Sequence, residues 1–368
     1  MSEAQQDLAG CETVATPLSR RPVLLGTLAF AVVTVGALTW AKWYPYALKI
    51  GAVADTGTVG HSILTGSAAR PPSPSWHAAV DYCLTYGRSI WLALVAGLLM
   101  AASAEAFLPS GRLLTMFQHD RGPAAGTVAG GLWSLPSMMC TCCAAPVALS
   151  IRRQGVPITS ALAYWLGNPV LNPAGLAFMA IVLPWQFVTV RLVTGAVLVF
   201  GITLVVGRLA GAGGLVSDPA ALPEAADMDT PTSVAAAGRR FLMALARLSA
   251  RLLPEYLVVV LVLGGLRGWL FPVGHGLATQ GLLAVVVFAV VGTLFVIPTA
   301  GEIPIIQGLL AAGAAPGAAG ALILTLPALS LPSMLMVRRA FPPRVVLATG
   351  LSVAALGMAG AALLVALT

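Results

Sequence analysis

Residues 138–173 read MMCTCCAAPVALSIRRQGVPITSALAYWLGNPVLNP, an apolar stretch of membrane-depth character interrupted by three cysteines, four prolines and two asparagines. Lipid offers loose backbone no hydrogen-bond partners, so irregular chain survives at bilayer depth only where it is buried in protein or lines a cavity. The stretch therefore marks a solute path. Its punctuation recurs downstream. Pro146, Gly155, Pro157, Pro169, Asn172 and Pro173 reappear as Pro304, Gly313, Pro316, Pro327, Ser330 and Pro332, offset by 158 or 159 positions throughout. Six residues in register with one insertion indicate an internal repeat.

Composition sets the solvent. The chain has 368 residues, of which 58% are hydrophobic and 9% charged, against about 25% charged in an average soluble domain. That is a polytopic all-α membrane protein whose partner is the lipid bilayer. The formal charge of +7 falls between apolar runs, where it sets topology rather than recognising nucleic acid. Five cysteines (Cys11, Cys83, Cys140, Cys142, Cys143) form no evenly spaced disulfide framework, and the last three read as thiols.

Runs of spanning length occupy residues 23–40, 89–107, 160–183, 187–206, 255–270, 317–337 and 345–367. Two further apolar runs, 123–151 and 277–312, are broken in the middle. The basic residues decide whether these two cross. If both are re-entrant hairpins, 14 basic residues lie on the cytoplasmic side and 6 outside (Lys42, Lys49, Arg70, Arg88, Arg191, Arg267); if both cross, the split is 9 to 11. The positive-inside rule selects the hairpins. Each repeat then runs helix, hairpin, helix, helix, and the two copies enter from opposite faces as an inverted repeat. The expected organisation is a cytoplasmic N-terminal tail (1–21), an extra transmembrane helix (22–40), an outer loop (41–87), the first repeat (88–206), a cytoplasmic linker (207–253) with Asp218, Glu224, Asp227 and Asp229, and the second repeat (254–368). His61 and His77 read as ordinary residues of the outer loop. Such a chain belongs in a bacterial inner membrane, with its N-terminus cytoplasmic.

Hairpin arms of about twelve residues reach ~18 Å, which places both tips near the middle of a ~30 Å hydrocarbon layer. Tip one is Met138–Cys143 and tip two is Thr299–Glu302, each followed by a proline (Pro146, Pro304) expected at the first position of the returning half-helix. Two half-helix N-termini thus face the midplane and favour an anion or a thiolate. Cys140, Cys142 and Cys143, with Met138 and Met139 behind them, are soft donors suited to Cu(I), trivalent arsenic or similar species. Cys140 and Cys142 are the candidate ligands of that transported species, and the chain implies no resident cofactor or closed zinc site. Free cysteine is also a good packing residue, but its coincidence with the helix break favours function. Glu302, an ionisable group at depth, reads as a proton-coupling carboxylate or a cation ligand. Glu105 and Glu255 lie near helix ends, with Glu105 a candidate to pair with an arginine. Asn168 and Asn172 share one helix face, and Pro169, Pro173, Pro327 and Pro332 mark further structural breaks. Two readings of the asparagines stand: substrate binding, or satisfaction of carbonyls freed by the prolines.

The segments CTCCAAPVALSIRRQG (140–155), NPVLNP (168–173) and GEIPIIQGLLAAG (301–313) resemble the predicted permease family that contains the ArsP-type organoarsenical efflux permeases and the YraQ-like proteins. The resemblance covers roughly residues 88–340. It matches the family's Cys-x-Cys ahead of a proline at Cys140, Cys142 and Pro146, and its Gly-Glu-x-Pro at Gly301, Glu302 and Pro304. It implies a secondary permease for a small inorganic or organometalloid solute, not an enzyme. No Walker A motif is present to hydrolyse ATP. The alternatives are a membrane thiol oxidoreductase using Cys140 and Cys142, or a passive channel. Substrate, direction, coupling ion and oligomeric state are not encoded in any of these motifs.

Overall fold

The computed structural model describes residues 20–66, 68, 70–117, 121–212, 234–271 and 281–368. Cys11, His119, His275, most of the N-terminal tail and the linker acids Asp218, Glu224, Asp227 and Asp229 lie outside the described residues. The described chain is helical throughout: α1 (Arg20–Leu38), α2 (Tyr44–Thr56), α3 (Trp76–Phe107), α4 (Ser110–Met116), α5 (Pro123–Ser134), α6 (Thr141–Arg153), α7 (Ile158–Val170), α8 (Pro173–Val182), α9 (Trp185–Ala196), α10 (Thr203–Ala212), α11 (Val234–Leu270), α12 (Leu282–Leu294), α13 (Glu302–Ala311), α14 (Pro316–Ala328), α15 (Leu331–Val337) and α16 (Pro343–Leu367). Among the described residues, seven helical stretches are long and apolar enough to cross a membrane: Leu24–Thr56, Trp76–Phe107, Ile158–Val182, Trp185–Ala210, Ala235–Leu270, Pro316–Val337 and Pro343–Leu367. Each covers one of the seven expected runs to within one residue. Leu28, Val32, Val258 and Leu351 point outward and exposed, as a lipid-facing surface requires.

The first span is longer than its apolar run. A π-helical turn, Thr39–Trp43, carries α1 directly into α2, which ends only at Gly57 in the left-handed region (φ 64). Much of the expected outer loop is therefore helix, since α2 takes residues 44–56 and α3 begins at Trp76 on a Ser75 cap that accepts from the Ala78 amide. Three of the six basic residues assigned outside are buried instead: Lys42, Arg191 and Arg267 are only 3%, 1% and 4% exposed. They are internal cations, and two of them, Lys42 and Arg191, reach tip two.

Neighbouring residues give the helix directions. Ser150 Oγ donates to the Ala101 carbonyl and Gly97 abuts Cys143, so α6 runs parallel to α3. Gly130 abuts Ser160 and Gly167 abuts Ser134, so α5 runs parallel to α7, while Trp165 Nε1 donates to Thr141 O and sets α6 antiparallel to α7. α5 and α6 thus go in and come back. The second copy does the same, with Gly292 of α12 against Thr325 and Gly317 of α14 against Val285. The order long helix, helix pair, broken helix, long helix occurs twice. The two leading helices, α3 and α11, are antiparallel, as the Tyr86–Tyr256 and Glu105–Arg247 contacts show.

Small residues permit this packing, since lipid supplies no hydrophobic drive between helices and association relies on close approach. A methyl group on Gly97 would overlap the Cys143 carbonyl. We expect Gly97→Ala to push α6 off α3 and destabilise the purified protein by about 1–3 kcal/mol, read as a lowered thermal midpoint in detergent.

Candidate functional site

Four chain breaks meet at the centre. Two are the tips. The chain leaves α5 through a 3₁₀ turn, Leu135–Ser137, reverses at Met138 (φ 49) and starts α6 after Cys140, its N-cap residue. It leaves α12 in extended form, turns through Ala300 (φ 63) and starts α13 at Glu302. Pro304 falls in the first turn of its helix, whereas Pro146 lies inside α6, a turn later than expected. The other two are interruptions of spanning helices, between α7 and α8 at Asn172 and between α14 and α15 at Ser330.

The tips are cross-packed with these interruptions. Tip one touches the break of the second copy, with Cys142 Sγ 3.2 Å from Ser330 Oγ and Thr141 Oγ1 3.4 Å from the same atom. Tip two touches the break of the first copy through Arg191 of α9. This guanidinium pairs with Glu302 Oε1 at 2.5 Å, both side chains being about 1% exposed, and also donates to Pro169 O at 2.6 Å, Val170 O at 3.0 Å and Ile323 O at 3.4 Å. The bonds to residues 169 and 170 cap the C-terminal carbonyls of α7, where a cation also suits the helix dipole. Asn172 Oδ1 caps the other side of the same break, accepting from the Ala174 and Gly175 amides at 3.0 and 3.1 Å.

The two asparagines are bonded differently. Asn168 uses both ends of its amide: its Nδ2 donates to Tyr164 O at 2.8 Å and its Oδ1 accepts from the Met139 amide at 3.4 Å. Asn172 uses only its oxygen. Its Nδ2 and Glu302 Oε2 are buried polar atoms with no hydrogen-bond partner, and both residues line a cavity of about 10 Å³ with Cys140, Arg191, Thr299 and Pro327. The space suits about one water molecule or a small polar atom.

The three thiols diverge. Cys140 and Cys143, one turn apart, bring their sulfurs to 3.0 Å. Cys142 turns the other way, toward Ser330 and Tyr86, whose hydroxyl is 3.9 Å from it and accepts from Tyr256 at 2.7 Å. Of the three, Cys140 alone lines the central cavity. Among the described residues no three His, Cys, Asp or Glu side chains converge as a metal site.

Two participants are absent from the sequence motifs. Arg191 sits inside an apolar run, and that interruption is the signal that marks it. Lys42, in the π-helical turn, donates to Tyr46 Oη at 2.9 Å and to Thr299 Oγ1 of tip two at 3.2 Å, while the neighbouring Trp43 donates to Pro136 O at 2.7 Å in the turn of tip one. The N-terminal helix therefore touches tip two and the turn that leads into tip one. Away from this centre, Glu105 pairs with Arg247 and Glu255 with Arg338 and Arg339.

Seven apolar spans around two in-and-back helix pairs, with polar side chains meeting at the breaks, define a multi-pass membrane permease. Residues 75–364 match the family model ArsP_1, described as a predicted permease, and the chain belongs to that family. It is also 43% identical over 329 residues to the UPF0718 protein YraQ of Escherichia coli (strain K12), covering 89% of this chain and 92% of that one. No solved structure matches.

Proposed function

We propose that the chain is a secondary transporter of the inner membrane that exports a soft metal, metalloid or thiol-reactive small solute by alternating access around the two tips. The observation that carries this is the convergence of Cys140 from one copy with Glu302 and Thr299 from the other on a single cavity with unpartnered polar atoms. A soft solute would meet the Cys140 sulfur, with Cys143 beside it. Glu302 and Arg191 would couple the motion to an ion gradient by exchanging their mutual pair for other partners. The antiparallel α3 and α11 support two inversely oriented copies, and the distribution of arginines supports cytoplasmic placement of the α6–α7 turn and of the N-terminus.

The test is a resistance and uptake panel of arsenite, methylarsenite, antimonite, copper, zinc and thiosulfate in a host deleted for its own exporters. Expression should lower accumulation of at least one soft solute, with saturable export from loaded cells. Flux without saturation would identify a channel, and thiol–disulfide turnover at the tip without export would identify an oxidoreductase.

A further inference from the structure

A cavity of about 550 Å³ adjoins the central site, bounded by α2, the loop after it, α3, α11 and tip two. It reaches exposed residues such as Gly60 and His61 and ends at Lys42 and Thr299. Pro298, Thr299 and Ala300 line both this vestibule and the central cavity, so tip two is the wall between them.

The charge of the vestibule is one-sided. Its lining carries Lys42, Lys49 and Arg267 against a single carboxylate, Asp81, and that carboxylate is already held by Arg267 at 3.1 Å. The two lysines remain. Lys49 lies over the Phe178 ring at 5.9 Å. Lys42 is buried, hydrogen-bonded only to two hydroxyl oxygens and 5.0 Å from the centroid of the Tyr46 ring, and among the described residues no carboxylate lies within ion-pair distance of it. An ammonium has three donors, so one is left over. A buried cation without a counter-ion is costly, and an anion entering the vestibule would relieve that cost.

We propose that the vestibule is an anion site with Lys42 as its recognition residue. The solute it fits is a small anion that offers oxygen acceptors to Lys42, Tyr46 and Thr299 in the vestibule and that, once past the wall formed by tip two, presents a soft atom to Cys140 of the central cavity, such as an oxyanion of a soft element or a thiolate conjugate. The proposal rests on the permease reading and narrows its substrate to negatively charged species. It gives the N-terminal helix, which lies outside the matched residues 75–364, a place in specificity.

The test needs no transported solute. Full-length protein with Cys11→Ser, Cys83→Ser and a reporter cysteine, Thr299→Cys or, as an independent position on the vestibule wall, Ser89→Cys, is treated with an anionic (sulfonatoethyl) or a cationic (trimethylammonioethyl) methanethiosulfonate. Each rate, read by peptide mass spectrometry, is divided by that reagent's rate with a free thiol. The anionic reagent should be favoured at least about tenfold, the scale of one poorly screened charge at close range. The preference should vanish in Lys42→Gln and persist in Lys42→Arg. Equal normalised rates at both reporters, a cationic preference, or a preference untouched by Lys42→Gln would overturn the proposal. Soft-solute export that depends on Cys140, found together with no anion preference here, would reject the anionic cargo and keep the thiol permease. An anion preference without any soft-solute export would do the reverse.

Discussion

Arg191→Leu is expected to destabilise the protein by about 3–5 kcal/mol, the cost of stranding one member of a buried ion pair. The loss should exceed that of Glu302→Gln, because the guanidinium serves four groups. It neutralises Glu302 and closes the carbonyls of Pro169 and Val170 at the end of α7, with a longer bond to Ile323. Glu302→Gln leaves those three carbonyl bonds in place. The double variant Arg191→Leu/Glu302→Gln should therefore recover the part of the loss due to the stranded carboxylate and not the part due to the uncapped helix end. Thermal midpoints of the four proteins in one detergent form the cycle that measures this, the coupling being the shortfall from additivity. Strict additivity would show that the pair is not formed. Because Glu302 is ion-paired with Arg191, any coupling to protons has to open that bond first.

How much of this was legible in the sequence follows from what each signal measures. Hydropathy marks apolar length, and all seven spans lie where the apolar runs stand. Proline marks lost hydrogen bonds, and the breaks at Met138–Cys140, Asn172, Thr299–Gly301 and Ser330 fall beside the prolines that announced them. Charge was the weak signal. Counting assigns a basic residue near the end of an apolar run to the adjoining loop, yet Lys42 and Arg191 point inward to partners 257 and 111 positions away. Such pairs arise only when segments far apart in the chain are packed together, and no local pattern records them. The divergence of the thiols was readable in principle: once a helix starts near residue 141, positions three apart share a face and positions two apart do not. Locating that helix start was the missing step, because Pro146 drew the expected start too far along the chain.

That divergence leads to an unequal outcome for the cysteines. Cys140→Ser should raise the half-saturating concentration of the exported soft solute by at least about 100-fold, since even partners that only orient a ligand are worth about 10–100-fold. Serine keeps the size and a hydrogen bond but removes the soft donor from the cavity wall. Cys143→Ser should follow in the same direction, because its sulfur stands 3.0 Å from that of Cys140. Cys142→Ser should cost far less, as its thiol sits among Ser330 and Tyr86, where a hydroxyl can keep the same contacts. Uptake into everted vesicles, where the cytoplasmic face is outside and an exporter fills the lumen, measured across solute concentration for each variant at matched protein level, separates the three. Equal losses at positions 140 and 142 would mean that both thiols reach the solute, which the arrangement of α6 opposes: Cys142 could turn toward the cavity only if α6 rotated against α3, and the close contact at Gly97 leaves little room for that rotation.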